Sequence, residues 1–239
     1  MPRSRKTSIS WTSATGLILL FCIVAVWLVQ KSPPVTPIEI RQLPKNFNAH
    51  GIDVSRYQGT IDWDTFFQHM DTTIEFVYCK ATEGTDHVDI QWDRNRRELQ
   101  ERSKPFGAYH FFLPEKDPVS QAEHFVSQCQ QGLGNLPPVL DAEVVGTSGE
   151  SLILNMKTWL QTVERKTGKR PLIYTSYAIY KNLFSGNFEG YRYWVANYNV
   201  LDKEHRFSNS EIVIWQYSDK GKLPGIETLV DLNFAKPSF

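Results

Sequence analysis

The chain has 239 residues, and setting aside an apolar N-terminal stretch leaves about 190, enough for one domain with a sizeable core. Lys plus Arg and Asp plus Glu are both 26, so the formal net charge is +0 and no chain-wide field marks nucleic acid as a partner. Only three cysteines occur, with no C-x-x-C or Cys/His ligand spacing, which argues against a zinc site.

Residues 1–10 form a basic tail carrying Arg3, Arg5 and Lys6. From Trp11 the chain turns apolar, without interruption from Leu17 to Val29, and Trp11 to Val29 reaches the ~17 to 25 residues that span a bilayer. The exit Val29-Gln30-Lys31-Ser32-Pro33-Pro34 offers no small-x-small cleavage site, and Trp27 suits a membrane interface. The expectation is a signal anchor over 11–30, with the basic tail cytoplasmic and the rest exported to a periplasmic or extracellular space; a cleaved signal is the alternative. Pro33, Pro34, Pro37 and Pro44 make 31–49 an extended spacer, because proline fixes φ and withholds a donor. Export would permit a disulfide between Cys79 and Cys129, but cysteines on regular elements are more often simply buried, and no bond is predicted.

From His50 to the end of the chain, eight strand-like runs follow: 51–55, 74–81, 106–112, 138–144, 171–176, 193–197, 212–217 and 230–234. Helical patterns fall at 91–101, 118–131 and 151–167, the last closed by Gly168 as a C-cap. Strand and helix alternate through the first five runs, which predicts parallel strands closing into a β/α barrel. The last three runs leave little room for full helices. The late barrel is therefore expected to be irregular and partly antiparallel.

The stretch P-P-V-L-D-A-E-V, residues 137–144, sets Asp141 and Glu143 two positions apart at the end of a strand run. Residues i and i+2 share a strand face, so two carboxyls would occupy one space and the crowding would raise the proton affinity of at least one of them. An acid holding its proton beside an ionised one suits glycosidic cleavage. An N-cap or a structural ion pair is the plainer alternative. Asp53, Lys80, His110, Asn197, Gln216 and Asp231 also lie in or just after strand runs, Asp231 early in its own, and a barrel mouth would gather most of them. Aromatic content of 13% supplies rings for the core and faces on which sugars could stack.

Seven motifs occur in order: G-I-D-V-S-R-Y-Q (51–58), K-A-T-E-G (80–84), G-A-Y-H-F-F (107–112), P-V-L-D-A-E (138–143), Y-W-V-A-N-Y (193–198), W-Q-Y-S (215–218) and V-D-L-N-F (230–234). Together they resemble glycoside hydrolase family 25, the Chalaropsis-type lysozymes, over His50 to about Phe234. The resemblance implies an irregular β/α barrel that cleaves the β-1,4 bond between N-acetylmuramic acid and N-acetylglucosamine in peptidoglycan with retention and without metal; a monomer with no other cofactor is expected. It makes Glu143 the general acid and Asp141 its partner, with Asp53 and Asp231 the acids of the first and last motifs. Asp141 fits the task of holding a substrate acetamido group, since the D-x-E pair also resembles substrate-assisted chitinases; a carboxylate nucleophile is the alternative. Tyr109, Tyr174, Trp194, Asn197, Gln216 and Tyr217 are the candidate substrate-binding residues. The tyrosines and Trp194 could equally be core rings, and Gln58 and Gln216 supports of the site. Lys80 with Glu83 is an expected ion pair and His110 an expected scaffold residue. A non-catalytic peptidoglycan-binding module would not need the acid pair; a chitinase-like hydrolase would.

Overall fold

A computed structural model of the chain describes residues 46–146, 148–198 and 209–237. The expected basic tail, membrane segment and most of the spacer lie outside these residues. Among the described residues no helix is long and apolar enough to cross a membrane.

The strands are β1 (Ala49–Val54), β2 (Phe76–Glu83), β3 (His87–Val88), β4 (Phe106–Phe111), β5 (Val139–Asp141), β6 (Leu172–Ser176), β7 (Arg192–Ala196), β8 (Ile212–Gly221) and β9 (Val230–Ala235). They pair in the order β1-β9-β8-β7-β6-β5-β4-β2-β3, and a further β1–β2 pairing closes eight of them into a barrel with β3 as a short hairpin arm. All neighbours around the barrel run parallel except β9, which is antiparallel to both β1 and β8. The cause is the connection. Residues 222–229 are too few for the crossover of a dozen or more residues that a parallel return needs.

Four helices, α1 (Trp63–Met70), α2 (Trp92–Glu101), α3 (Pro118–Gln128) and α4 (Gly149–Thr167), cross between successive early strands. Asp117 caps α3 by accepting from Ser120 N at 2.7 Å with Pro118 in the first turn, and Gly168 ends α4 at φ 71. Sequence reasoning missed α1. Its Trp63, Phe66 and Phe67 read as strand formers, and the signal that identifies it is Asp62 accepting from Thr65 N at 3.1 Å. After β6 the crossover shrinks to α5 (Tyr177–Ile179) and a π turn, Tyr180–Phe184.

Alternation along each strand sorts the core into two layers. Outward residues such as Ile52, Val77, Leu140, Ile173 and Val195 pack against Phe66, Leu99, Phe125, Trp159 and Leu160 of the helices. Inward residues, including Phe76, Tyr78, Val139, Leu172, Tyr174 and Trp194, fill the barrel. A Cβ added to Gly51 would overlap the Phe76 ring, and one added to Gly107 the Tyr78 ring, so two glycines make room for two large rings on the barrel floor. With the floor packed, Asp53, Lys80 and Asp141 gather at the carboxyl ends of the parallel strands.

Candidate active site

That end of the barrel holds a cavity of about 430 Å³, lined by Asp53, Asp141, Glu143 and Asp231 together with Lys80, Glu83, Tyr109, Tyr174 and Trp194. All four candidate acids therefore meet. Asp231 joins them because β9 is antiparallel: the start of that strand lies beside the end of β1, and Asp53 and Asp231 are directly opposed across the ladder.

Asp53 is buried and accepts from Asn233 Nδ2 at 2.7 Å and from Gln216 Nε2 at 3.1 and 3.3 Å. Both amides are themselves fixed. Gln216 Oε1 accepts from the hydroxyls of Tyr174 at 2.9 Å and Tyr198 at 2.6 Å, and Asn233 Oδ1 accepts from Trp194 Nε1 at 2.8 Å. Burial pushes the Asp53 carboxyl up to about 6, and these donors hold it from rising further. Asp231 has no such set, and burial followed by the charge of Asp53 pushes its carboxyl up to about 9. At neutral pH the opposed pair keeps a proton on Asp231, which donates to Asp53.

Strand β5 ends at Asp141, shorter than the run expected to reach 144. The extended course nevertheless continues, because Ala142 N donates to Tyr174 O at 2.9 Å and Ala142 O accepts from Thr175 Oγ1 at 2.7 Å. Asp141 and Glu143 thus face the same cavity in different settings. Asp141 is buried, and its Oδ1 has no hydrogen-bond partner within the protein. Burial, then the charge of Glu143, raises its proton affinity well above that of a free carboxyl, with Lys80 opposing. Glu143 is exposed at the rim, and its smaller rise comes from partial loss of water, opposed by the Tyr174 hydroxyl and Lys80.

Lys80 and Glu83 pair at 2.6 Å, with the ammonium 4.8 Å from the Phe111 ring centroid. Residues three apart on a strand normally face opposite ways; a register shift between Lys80 and Thr82 brings both to the mouth. His110 lies outside the barrel interior. Its Nδ1 accepts from Thr82 Oγ1 at 2.8 Å, its Nε2 donates to Gln121 Oε1 at 3.2 Å, and burial lowers it to about 3, so it stays a neutral scaffold group.

Of the candidate binding residues, Tyr109, Tyr174 and Trp194 line the cavity, while Gln216 stands behind Asp53 as a support. Asn197 contributes its backbone N to Gln216 O at 3.0 Å and does not line the cavity. Tyr217 points the other way. One position after Gln216, it faces the outer layer, where its hydroxyl meets His50 Nε2 at 2.8 Å and its ring stacks on Phe234 at 4.8 Å. Cys79 and Cys129 are buried free thiols. Sequence reasoning missed Asn233 and Tyr198 as partners in the Asp53 network; Asn233 stands two positions after Asp231 and so shares its face.

The Asp231 carboxyl binds a proton more tightly folded than unfolded, where Asp titrates near ~4. Its stabilising contribution is full below about 4 and drains away as pH rises toward about 9, since the unfolded chain releases the proton first. Asp231→Asn keeps a donor for Asp53 without that titration. Its Tm relative to wild type should therefore rise between pH 4 and pH 8, and a difference independent of pH would show that the pair does not share a proton.

Residues 52–226 match the family described as glycosyl hydrolases family 25. YegX of Escherichia coli (strain K12) is 38% identical over 205 residues, covering 84% of this chain and 74% of that one. Lysozyme M1 of Streptomyces globisporus is 30% identical over 200 residues, covering 77% of this chain and 67% of the other. A solved family 25 glycosyl hydrolase from Bacillus anthracis superposes with TM-score 0.71 at 27% identity, over 81% of this chain and 91% of its own. The barrel, the assembled acids and these matches agree: the chain belongs to glycosyl hydrolase family 25.

Proposed function

We propose that the protein is a retaining N-acetylmuramidase in which Glu143 is the general acid and base and Asp141 holds the substrate's own 2-acetamido group as nucleophile. The observation that carries this reading is the contrast between the two members of the D-A-E pair. Glu143 has raised proton affinity at an exposed rim, where a leaving sugar oxygen can reach it. Asp141 is buried with Oδ1 unpartnered, so no protein group competes with a substrate group for that oxygen.

The chemistry follows in two steps. Glu143 gives its proton to the glycosidic oxygen as the bond from C1 to that oxygen breaks, and the acetamido carbonyl oxygen bonds to C1 from the opposite face. The acetamido nitrogen gains positive charge, and Asp141, once ionised, accepts a hydrogen bond from its N–H without taking the proton. In the second step Glu143 removes a proton from water, the water oxygen bonds to C1 as the bond from C1 to the acetamido oxygen breaks, and the amide is restored with net retention. Asp53 is poorly suited to attack C1, because its oxygens accept from two amides and from Asp231. Asp231, protonated, is poorer still. Relatives named N,O-diacetylmuramidase, from Chalaropsis sp and Arthroderma benhamiae, support muramic acid over N-acetylglucosamine at the cleaved position.

Replacement of Glu143 by Gln keeps the shape and removes the transferable proton, so hydrolysis of purified peptidoglycan should fall by ~10²- to 10⁴-fold with the fold unchanged. In the wild type, activity should decline as pH rises through the raised Glu143 value, since the acid must be protonated before the first step. A Gln variant with near-wild-type activity would remove Glu143 from the mechanism.

We further propose that residues 11–30 anchor the protein in the membrane, with 31–49 spacing the exported, monomeric catalytic domain from the surface. Support for the anchor is the uninterrupted apolar run and the basic tail before it. Barrel closure supports monomeric action, leaving the two-residue β3 as the open edge. The protein should stay in the membrane fraction through a high-salt wash, which screens charge but does not expel a spanning helix. A soluble form starting near residue 32 would show cleavage instead.

A further inference from the structure

One wall of the cavity is a turn of 3-10 helix, Arg56–Gln58, whose backbone is braced by its surroundings. Ser55 Oγ accepts from Tyr57 N at 3.2 Å, and Gln58 Oε1 accepts from Ser55 N at 2.9 Å, a reciprocal cap. Gln58 Nε2 donates to Leu229 O at 2.9 Å. Beneath the turn, buried Asp89 accepts from Arg56 N and from Gln91 N, each at 2.9 Å. All this holds in place two side chains that face water: Arg56 is exposed, and Tyr57 is 69% exposed. Side chains carried on a rigid turn lose less freedom on meeting a ligand than those on a loose loop.

Charge distinguishes Arg56 from the rest of the mouth. Asp53, Glu83, Asp141, Glu143, Asp219 and Asp231 all line the cavity, against Lys80 and Arg56. Lys80 is buried and committed to Glu83. Arg56 makes no ion pair among the described residues; its guanidinium lies over the Tyr57 ring, 5.2 Å from the centroid. A strand bearing carboxylates meets a mouth lined mainly by acids, where Lys80 is already paired with Glu83, and Arg56 offers a permanently charged fork of donors shaped for a carboxylate. A neutral N-acetylglucosamine polymer gives that fork nothing to pair with.

We propose that Arg56 binds a carboxylate of the peptidoglycan strand, carried by the lactyl group of muramic acid or by its stem peptide, and so selects anionic wall glycan over neutral chitin-like polymers. The inference rests on the muramidase reading and names the substrate feature that this wall recognises. Tyr57 supplies the flat surface on which the guanidinium is held.

The test is binding, measured in the full chain carrying Glu143→Gln so that no strand is cut. Soluble peptidoglycan strands are compared with the same strands after carbodiimide coupling to methylamine, which turns carboxylates into neutral amides. Adding Arg56→Gln should weaken affinity for native strands by about three- to tenfold, the range of an ion pair at a partly exposed site. On methylamide strands the weakening should be much smaller, and Arg56→Lys, which keeps the charge, should recover part of the native-strand affinity. Equal weakening on both kinds of strand, or none on native strands, would overturn the assignment. An amidase removes the stem peptide and frees the lactyl carboxylate that was amide-bonded to it: an Arg56 effect that persists on such strands shows that the lactyl carboxylate is bound, and a collapse assigns the stem peptide. Failure of the muramidase reading would show separately, as a wild-type protein that releases no new reducing ends from any strand.

Discussion

The site depends on keeping one negative charge, that of Asp53, inside a barrel whose floor is packed with aromatic rings. A buried carboxylate is tolerated only where donors replace the water it has lost. Gln216 and Asn233 do this directly, and Tyr174, Tyr198 and Trp194 do it at one remove by fixing the orientation of the two amides. The network draws on β1, β6, β7, β8 and β9, so the charge at the mouth and the closure of the barrel are features of one arrangement. Asp231 completes it from the opposite strand by giving up its own charge.

This crowding works against stability and for chemistry. Burial raises the proton affinity of all four carboxyls around the cavity, and like charge adds to it at Asp53, Asp141 and Asp231, a state unfavourable at neutral pH. The same conditions allow Glu143 to hold a transferable proton where an isolated glutamic acid would have lost it. Compensation comes from the layer between sheet and helices, where Trp159, Phe125 and Phe66 are fully buried and His110 is satisfied on both ring nitrogens.

Most of the barrel was legible in the sequence because buried parallel strands are continuous apolar runs ended by polar residues, and the eight runs from His50 onward correspond to the eight strands of the barrel. The direction of β9 followed only from the length of its connection, yet that direction explains why Asp231, early in its strand, belongs with residues late in theirs. Face assignment beyond the acids was less legible. Gln216 and Tyr217 are adjacent, and period-2 alternation sends one toward Asp53 and the other to His50, a distinction that required knowing which residue of the run pointed inward. Tyr198 was missed because it lies just past β7, where no periodicity applies. Helix α1 was missed because three aromatic residues masked a short helix whose cap, Asp62, was its clearest mark.

The central claim is that Asp141 positions an acetamido group and that no protein carboxylate bonds to the sugar. Mass spectrometry of the intact protein after incubation with a fluorinated muramyl substrate, which slows breakdown of any covalent intermediate, tests it most directly. The account predicts an unmodified protein, and inhibition by a thiazoline mimic of the cyclised intermediate. An added sugar mass mapped to an ester at Asp53, Asp141 or Asp231 would contradict it.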